Sequence, residues 1–396
     1  MLPDGWQRST LGEIARITSG GTPDRAEAAY WGGDVPWVTT GEITFNTITE
    51  TREKITQAGL KNSSAKLFPA GTLLMAMYGQ GKTRGQVAKL GIEAATNQAC
   101  AAILLGGEQD TDFFFQYLSS QYEALRELGN AGTQQNLNGG ILKGVSVPVP
   151  PLEEQRRIAR ILAPWDQAID AAERLLALGW RQKQSLTHFL MSDRLRQNRG
   201  SSLLGRAHAS DLFAPVSTRR NGGLELLSVM QDVGVVPRNS LDRKVVMPDG
   251  STEGYKLVEP GNFVISLRSF EGGLEYSRHR GLVSPAYTVV EAKRPCVDDF
   301  YRHYFKSTEF IGRLAVAVIG IRDGKQISYD DFGFLNLPAP SLPEQQSIAG
   351  ALNAAESIVR QHEKELVCLR AEKDALMSQL LTGKRRVRMP ADEATP

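Results

Sequence analysis

Pro148–Ala159 reads PVPPLEEQRRIA, and Pro338–Ala349 reads PAPSLPEQQSIA. The two stretches lie 338 − 148 = 190 residues apart. The same offset relates Gly71-Thr72-Leu73-Leu74 to Gly261-Asn262-Phe263-Val264, Gly91 to Gly281, and Asn136-Leu137 to Gln326-Ile327. It also aligns QKQSLTHFLMS at 182–192 with EKDALMSQLLT at 372–382. One offset held from Gly71 to Ser192 marks two copies of one unit.

Each copy has a mixed part and a helical part. The mixed part is Gly-rich, with short apolar runs of strand character at Val35–Val38, Thr72–Met77, Ala99–Leu105, Asn262–Leu267 and Tyr287–Val290. Helical stretches interrupt these at Asp112–Leu128 and Asp298–Val318. Pro150-Pro151 and Pro340 then break the chain before a long helix in each copy. Along the first helix Ile158, Leu162, Trp165, Ile169, Ala172, Leu176, Gly179, Lys183, Leu186 and Leu190 step alternately by four and three. Along the second, Ile348, Leu352, Ala355, Val359, His362, Leu366, Leu369, Lys373, Leu376 and Leu380 do the same. A 3.5-residue period is a seam that needs a partner helix. A helix packed on its own domain gives a similar stripe, but two seams of equal length in one chain point to pairing with each other. A helix of about 40 residues is about 60 Å long, so it would serve as a spacer. Gly179, Lys183, His362 and Lys373 interrupt the seam; such positions weaken pairing but can set register.

The expected organisation is α+β. A mixed domain at 1–150 is followed by a spacer helix at 151–193 and a linker at 194–222. A second mixed domain at 223–340, a second helix at 341–383 and a flexible tail at 384–396 complete it. The Gly, Ser and Arg content of DRLRQNRGSSLLGRAHASDLF supports the linker, and KRRVRMPADEATP reads as a frayed end.

Composition narrows the function. Net charge is +2, so the whole-molecule field is weak and any nucleic-acid contact must come from local basic patches. The three cysteines, Cys100, Cys296 and Cys368, form no CxxC pair and the five histidines are scattered, which argues against a disulfide framework or a structural zinc. These thiols suit a reducing cytoplasm. The start of the chain has no signal-peptide pattern, and no eighteen-residue apolar run occurs.

Ala76–Thr83 (AMYGQGKT) fits the loose form of a phosphate-binding loop. The repeat tests it: the second copy has SLRSFEGGLE there, without a Lys-Ser/Thr pair. A phosphate loop must also open a helix, and Gly85 and Gly91 leave little room for one. A Gly-rich loop between two strands explains the stretch better. Its composition remains distinctive. Tyr78, Gln80, Lys82, Thr83, Arg84 and Lys89 combine cations with hydrogen-bonding groups, and residues 71–92 contain no acid. The second copy offers Arg268, Ser269, Tyr276, Arg278 and Arg280. Basic residues neutralise phosphates, while Arg and Gln pair with base edges.

At this level the chain resembles the specificity (S) subunits of type I restriction-modification systems. The resemblance rests on WQRSTLGEIARITSGGTP at 6–23, VPWVTTGEI at 35–43, YGQGKTRGQVAKLGIEAATNQA at 78–99 and the paired proline-EQ-IA motif. It implies two pseudo-repeated mixed α/β target recognition domains joined by two long antiparallel coiled-coil helices. Each domain would read one half of a bipartite duplex DNA target, with the helices as ruler. The family has no chemistry of its own. Two modification subunits methylate adenine from S-adenosylmethionine, and restriction subunits use ATP and Mg to cut. The second copy departs from the pattern at Ser284-Pro285-Ala286-Tyr287, where the first has its ATNQA stretch.

The residues independently argue against catalysis. No NPPY- or DPPY-like tetrapeptide occurs. Glu153-Glu154 falls in a helix's first turn, where acids suit the dipole, Asp330-Asp331 falls in a turn-like SYDDFG, and Cys100 sits in an apolar run. The competing readings are a nucleotide-hydrolysing enzyme built on Gly81-Lys82-Thr83 and a helical scaffold whose globular units bind protein or RNA.

Overall fold

The computed structural model describes residues 2–79, 82–129, 136–192, 204–218, 223–241, 254–319 and 327–387. The chain divides into two compact units, Met1–Ala172 with Glu365–Pro396, and Glu173–Lys364. Two long helices, Leu152–Met191 and Leu342–Leu380, each give one end to either unit. The helices are therefore not separate domains, because their ends complete both cores.

In the first unit, a five-stranded sheet runs in the order Ala15–Ser19, Cys100–Leu105, Leu73–Ala76, Val87–Leu90, Thr47–Ile48. A four-stranded sheet runs Glu53–Ile55, Trp31–Val38, Ala94–Thr96, Leu67–Phe68. Helices Thr111–Ser120 and Tyr122–Leu128 split the single helical stretch read from sequence. Phe113, Phe114 and Leu118 pack in one core with Ile158 and Leu162 of the first long helix and Met377, Leu380 and Leu381 at the end of the second. The second unit repeats the plan. Its main sheet runs Phe213–Val216, Thr288–Ala292, Phe263–Ile265, Glu275–Tyr276. Phe300, Tyr301, Tyr304 and Phe305 pack with Met191, Ile348 and Leu352.

The repeated EQ has a specific task. Gln155 and Gln345 are both buried. The Gln155 amide accepts from the Asp110 N–H at 2.8 Å and donates to the Pro150 carbonyl at 2.8 Å. The Gln345 amide accepts from the Val297 N–H at 2.9 Å and donates to the Pro340 carbonyl at 2.9 Å. Asp110 and Val297 cap the next domain helix in their units. One side chain thus binds the long helix's first turn, the proline strand before it and a helix start in the mixed domain. Buried polar groups must be paired, and this amide pairs two at once. Glu154, beside it, is also buried and accepts from Trp6 Nε1 at 3.0 Å and from Arg386 at 2.7 and 2.8 Å. Its role is a tertiary ion pair, more than the dipole effect read from sequence.

The helices pair antiparallel within each unit. In the first, Asp166 meets Lys373 and Glu154 meets Arg386 just past the end of the second helix, so the chain of one advances 166 − 154 = 12 while that of the other retreats 386 − 373 = 13. In the second, a Cβ on Gly179 would lie 3.4 Å from Val359 Cγ2, and Lys183 meets Glu356 at 2.9 Å. Gly179 is buried, so its missing side chain permits close approach. Ile158, Leu162, Ile348, Leu352, Val359, Leu366 and Leu380 are buried. Trp165, Ile169, Leu176, Leu186, Leu190, Leu369 and Leu376 are half-buried. Pro164 stands within the first helix on an exposed position, where its ring removes one intrahelical hydrogen bond.

Two boundaries differ from the sequence expectation. Residues 204–218 of the expected 194–222 linker instead belong to the mixed part of the second unit. Arg206–His208 pairs with Asn336–Pro338, and Phe213–Val216 pairs with Thr288–Ala292. Arg206 lies opposite Pro338 as Arg8 lies opposite Pro148. The offset here is 206 − 8 = 198, so an eight-residue length difference hid the match from a search at 190. The expected tail at 384–396 is anchored over its described part, by Arg386 on Glu154 and by a buried Val387. Tyr329–Gly333 is a capped helical turn, with Ser328 and Asp331 bonded reciprocally.

A polar cluster flanks the pairing. In the second unit, Glu356 takes Lys183 and Arg302, and Arg302 also bonds Asp299 and Asn353. Burial would raise the Glu356 carboxyl, but hydrogen bonds from Arg302 and Lys183 outweigh it and hold it down to about 2. Burial and the Arg302 charge push His303 down to about 4, so it is neutral near pH 7.

Replacing Gln155 or Gln345 with Leu strands a buried N–H and a buried C=O, so a loss of about 2–4 kcal/mol is expected by urea denaturation. The same change at exposed Gln346 should cost under about 0.5 kcal/mol. A second expectation concerns acid. Both folded values lie below the ordinary ones, 6.5 for His303 and 4.5 for Glu356. Their stabilisation is complete above 6.5 and is lost as pH falls, through 6.5 to 4 for His303 and 4.5 to 2 for Glu356. His303→Gln should remove the upper part of this acid destabilisation in pH-dependent melting curves and leave the lower part.

Candidate nucleic-acid interface

In the first unit, strand register gathers several loops at one sheet end. Ser19 lies opposite Ala101, and Ala76 lies opposite Cys100. The segments after Ser19, after Ala76 and before Cys100 therefore leave from the same side. Met77 N–H donates to Ala99 at 2.9 Å, Gly21 N–H to Thr96 at 2.8 Å, and Leu137 N–H to Met77 at 3.1 Å. The SGG of the first segment follows from this crowding. A Cβ on Gly20 would sit 2.0 Å from the Thr96 carbonyl oxygen, and one on Gly21 2.2 Å from Ser64 Oγ.

Tyr78 and Lys82 are exposed at this end, and Thr83 is half-buried. The Tyr122 hydroxyl donates to the Lys82 carbonyl and holds the loop backbone. Gln80 lies outside the described residues. Thr83 leads through a turn into strand Val87–Leu90, so the helix a phosphate loop needs is replaced by a strand. Arg84 turns inward, where its Nη2 donates to the Arg126 carbonyl at 3.4 Å. Lys89 lies opposite Leu73, at the far end of the sheet, and pairs with Asp112. It lines a cleft of about 490 Å³ with Gln116, Arg156, Arg160 and Asp166. Sequence reasoning missed Thr22 and Gln98, which are hydrogen-bonded to each other at the loop end. Both stand in the quoted TSGGTP and ATNQA stretches, and only the sheet register shows that these stretches touch.

The second unit divides its group in the same way. Val216 lies opposite Val289 and Ile265 opposite Thr288, so Arg268 and Ser284–Ala286 leave from one end. Arg268 is exposed, with Leu267 exposed beside it. Ser269 is 1% exposed, and its hydroxyl accepts from Ser266 N–H at 2.8 Å. It shapes the turn and does not face outward. Tyr276 lies opposite Phe263, towards the other end. Its hydroxyl donates to Asp298 at 3.0 Å, and burial and then Asp298 push it up to about 12. Exposed Arg278 lies 5.7 Å over the Tyr276 ring, and Arg280 pairs with Glu259 at 3.0 Å. Helix Ser269–Gly272 and Gly273 separate the two subsets. Gly273 has φ +73, and a Cβ there would lie 1.8 Å from the Phe305 carbonyl oxygen.

The first unit's loop end presents Tyr78, Lys82 and Gln98 and the second's presents Arg268 and Ser284, donors suited to phosphates and base edges. Among the described residues, no group of His, Cys, Asp and Glu could hold a metal, and no helix is long and apolar enough to cross a membrane. Cys100 is buried, which pushes its thiol well above the usual range, and it belongs to the core.

Residues 3–178 match the family model described as the Type I restriction modification DNA specificity domain. The match covers less than half of the chain. The specificity domain covers the first mixed part and the opening of its long helix, and the internal repeat carries the plan into the second half. Among relatives, the type I restriction enzyme MjaIX specificity subunit of Methanocaldococcus jannaschii is 28% identical over 174 residues, 43% of this chain and 40% of that protein. The EcoR124I/EcoR124II specificity subunit of Escherichia coli is 26% identical over 165 residues, 40% of each chain. The chain thus matches less than half the length of these relatives. A crystal structure of a type I restriction-modification S subunit from M. genitalium aligns over 98% of this chain and 99% of that one, with TM-score 0.58 and 15% identity. At that identity the likeness is one of fold, and it spans both units.

Lys82→Ala and Arg268→Ala should each weaken duplex DNA binding by about 1–3 kcal/mol where they meet bases, with unchanged melting temperature. Arg84→Ala should lower the melting temperature, because its guanidinium is bonded to the fold. Filter binding and differential scanning calorimetry separate the two classes.

Proposed function

We propose that this chain is the sequence-reading subunit of a type I restriction-modification complex. Each recognition domain reads one half of a bipartite duplex target, and the paired helices set the gap. Two modification subunits and the restriction subunits dock on the chain and carry the chemistry. S-adenosylmethionine, ATP and Mg belong to them, and this chain supplies recognition alone. A cytoplasmic location follows from this assignment. The observation that carries the reading is the repeated loop end: two units of one plan, the first with exposed Lys82 and Gln98 at its loop end and the second with exposed Arg268. The two ends differ in residues, Lys82 and Gln98 against Arg268 and Ser284, as readers of different half-sites would. A nucleotide-hydrolysing alternative gains no support from Gly81-Lys82-Thr83, because a strand follows it.

The test is binding by the full chain with its modification subunits to a randomised duplex pool. Enrichment of a two-part motif with a constant gap is expected, with affinity falling steeply as salt rises. Four residues inserted at matching points in both long helices should change the gap and leave the half-sites intact. Equal affinity for unrelated duplexes overturns the reading.

A further inference from the structure

The two ion pairs between the long helices are copies of one another. Asp166 + 190 is Glu356, and Lys183 + 190 is Lys373. Asp166 pairs with Lys373 in the first unit, and Glu356 pairs with Lys183 in the second. Each pair therefore joins the acid of one copy to the lysine of the other. All four occupy the interface between helices and are largely withdrawn from water: side-chain exposure is 35% and 13% for Asp166 and Lys373, and 16% for both Glu356 and Lys183.

Each acid also has a third partner in its recognition domain. Gln116, on helix Thr111–Ser120, donates to Asp166. Arg302, on helix Asp298–Tyr304, bonds Glu356 at 3.1 and 2.9 Å. Asn353, one turn before Glu356, adds bonds to Arg302 and Asp299 at 2.8 Å each. A carboxylate at each site thus holds the first helix, the second helix and the domain helix together. We infer that these two three-way polar latches fix the register of the helix pair and the seating of each recognition domain, and so determine the gap length in the recognised DNA.

The physical argument is one of discrimination. An apolar seam with a 3.5-residue period tolerates a slip of one heptad at modest cost, because Leu replaces Leu. A slip moves each carboxylate away from its lysine and leaves charges in a partly dehydrated interface, which is costly. The latch also ties that register to Gln116 and Arg302, so domain and helix cannot shift independently. This inference rests on the reading above, and its test separates the two.

The full-length chain is expressed with its modification subunits, and methylated sites are mapped for three forms: wild type, Lys373→Asp, and Asp166→Lys with Lys373→Asp. Wild type should give one gap length. Lys373→Asp opposes two acids, and it should keep both half-sites but spread methylation over neighbouring gaps or cut it at least tenfold. The double exchange restores opposite charges, with the Gln116 amide free to rotate, and should recover the single gap. Methylation of the native gap alone, at wild-type extent, by Lys373→Asp overturns the latch and leaves the reading of the chain standing. If Lys373→Asp does not fold, the exchange decides. Recovery supports the latch, and a double variant that melts like wild type but loses the single gap overturns it. A wild-type chain with no two-part motif removes both proposals.

Discussion

The structure depends on one constraint: each hydrophobic core is closed by the ends of two helices that begin far apart in the chain. Ile158 and Leu162 supply one side of the first core, and Leu380 and Leu381 supply another. Ile348 and Leu352 meet Met191 in the second. A mixed domain with only its own helix start would leave this apolar surface in water, at about 25 cal/mol per Å². Pairing is therefore part of folding, and the helices cannot be treated as spacers added to finished domains.

Gln155 and Gln345 make this packing directional. A helix start after a proline strand has unpaired backbone groups, and hydrophobic contact alone does not orient it. The amide supplies an acceptor and a donor in fixed geometry, so the helix leaves each domain along one path. The polar seam residues act on the same principle. Lys183 and Lys373 look unfavourable in a hydrophobic stripe, yet each finds a carboxylate supplied by the other copy. What weakens an isolated seam gives this one its register.

The loop ends illustrate a division of labour within the sheets. Strand interiors such as Leu73–Ala76 and Phe263–Ile265 are fully buried and serve the core. Their ends carry exposed polar chemistry that can vary without cost to folding. Arg84 and Ser269 show why composition overstates such a site. A guanidinium and a hydroxyl in the right segment have been recruited to hold turns. Tyr276, Arg278 and Lys89 lie at the opposite ends of their sheets from the loops first grouped with them.

Much of the architecture was legible in sequence because it is periodic. A constant offset exposed the duplication, and a 3.5-residue step exposed both long helices to within a few residues of their ends. These signals depend on local spacing, which the chain carries explicitly. The front of the second unit was not legible, because an eight-residue length difference moved Arg206–Val216 off the common offset. Nor was the anchoring of Arg386, whose partner Glu154 lies 232 residues away. The composition of the candidate site could be read, but its membership could not. Which cations face outward and which are absorbed by Asp112, Glu259 or a carbonyl depends on strand register and on neighbours brought together only by folding. The sequence by itself determined the repeat, the helices and the chemical repertoire. Tertiary structure decided which groups remain available, because hydrogen bonds and ion pairs are claimed by proximity in space.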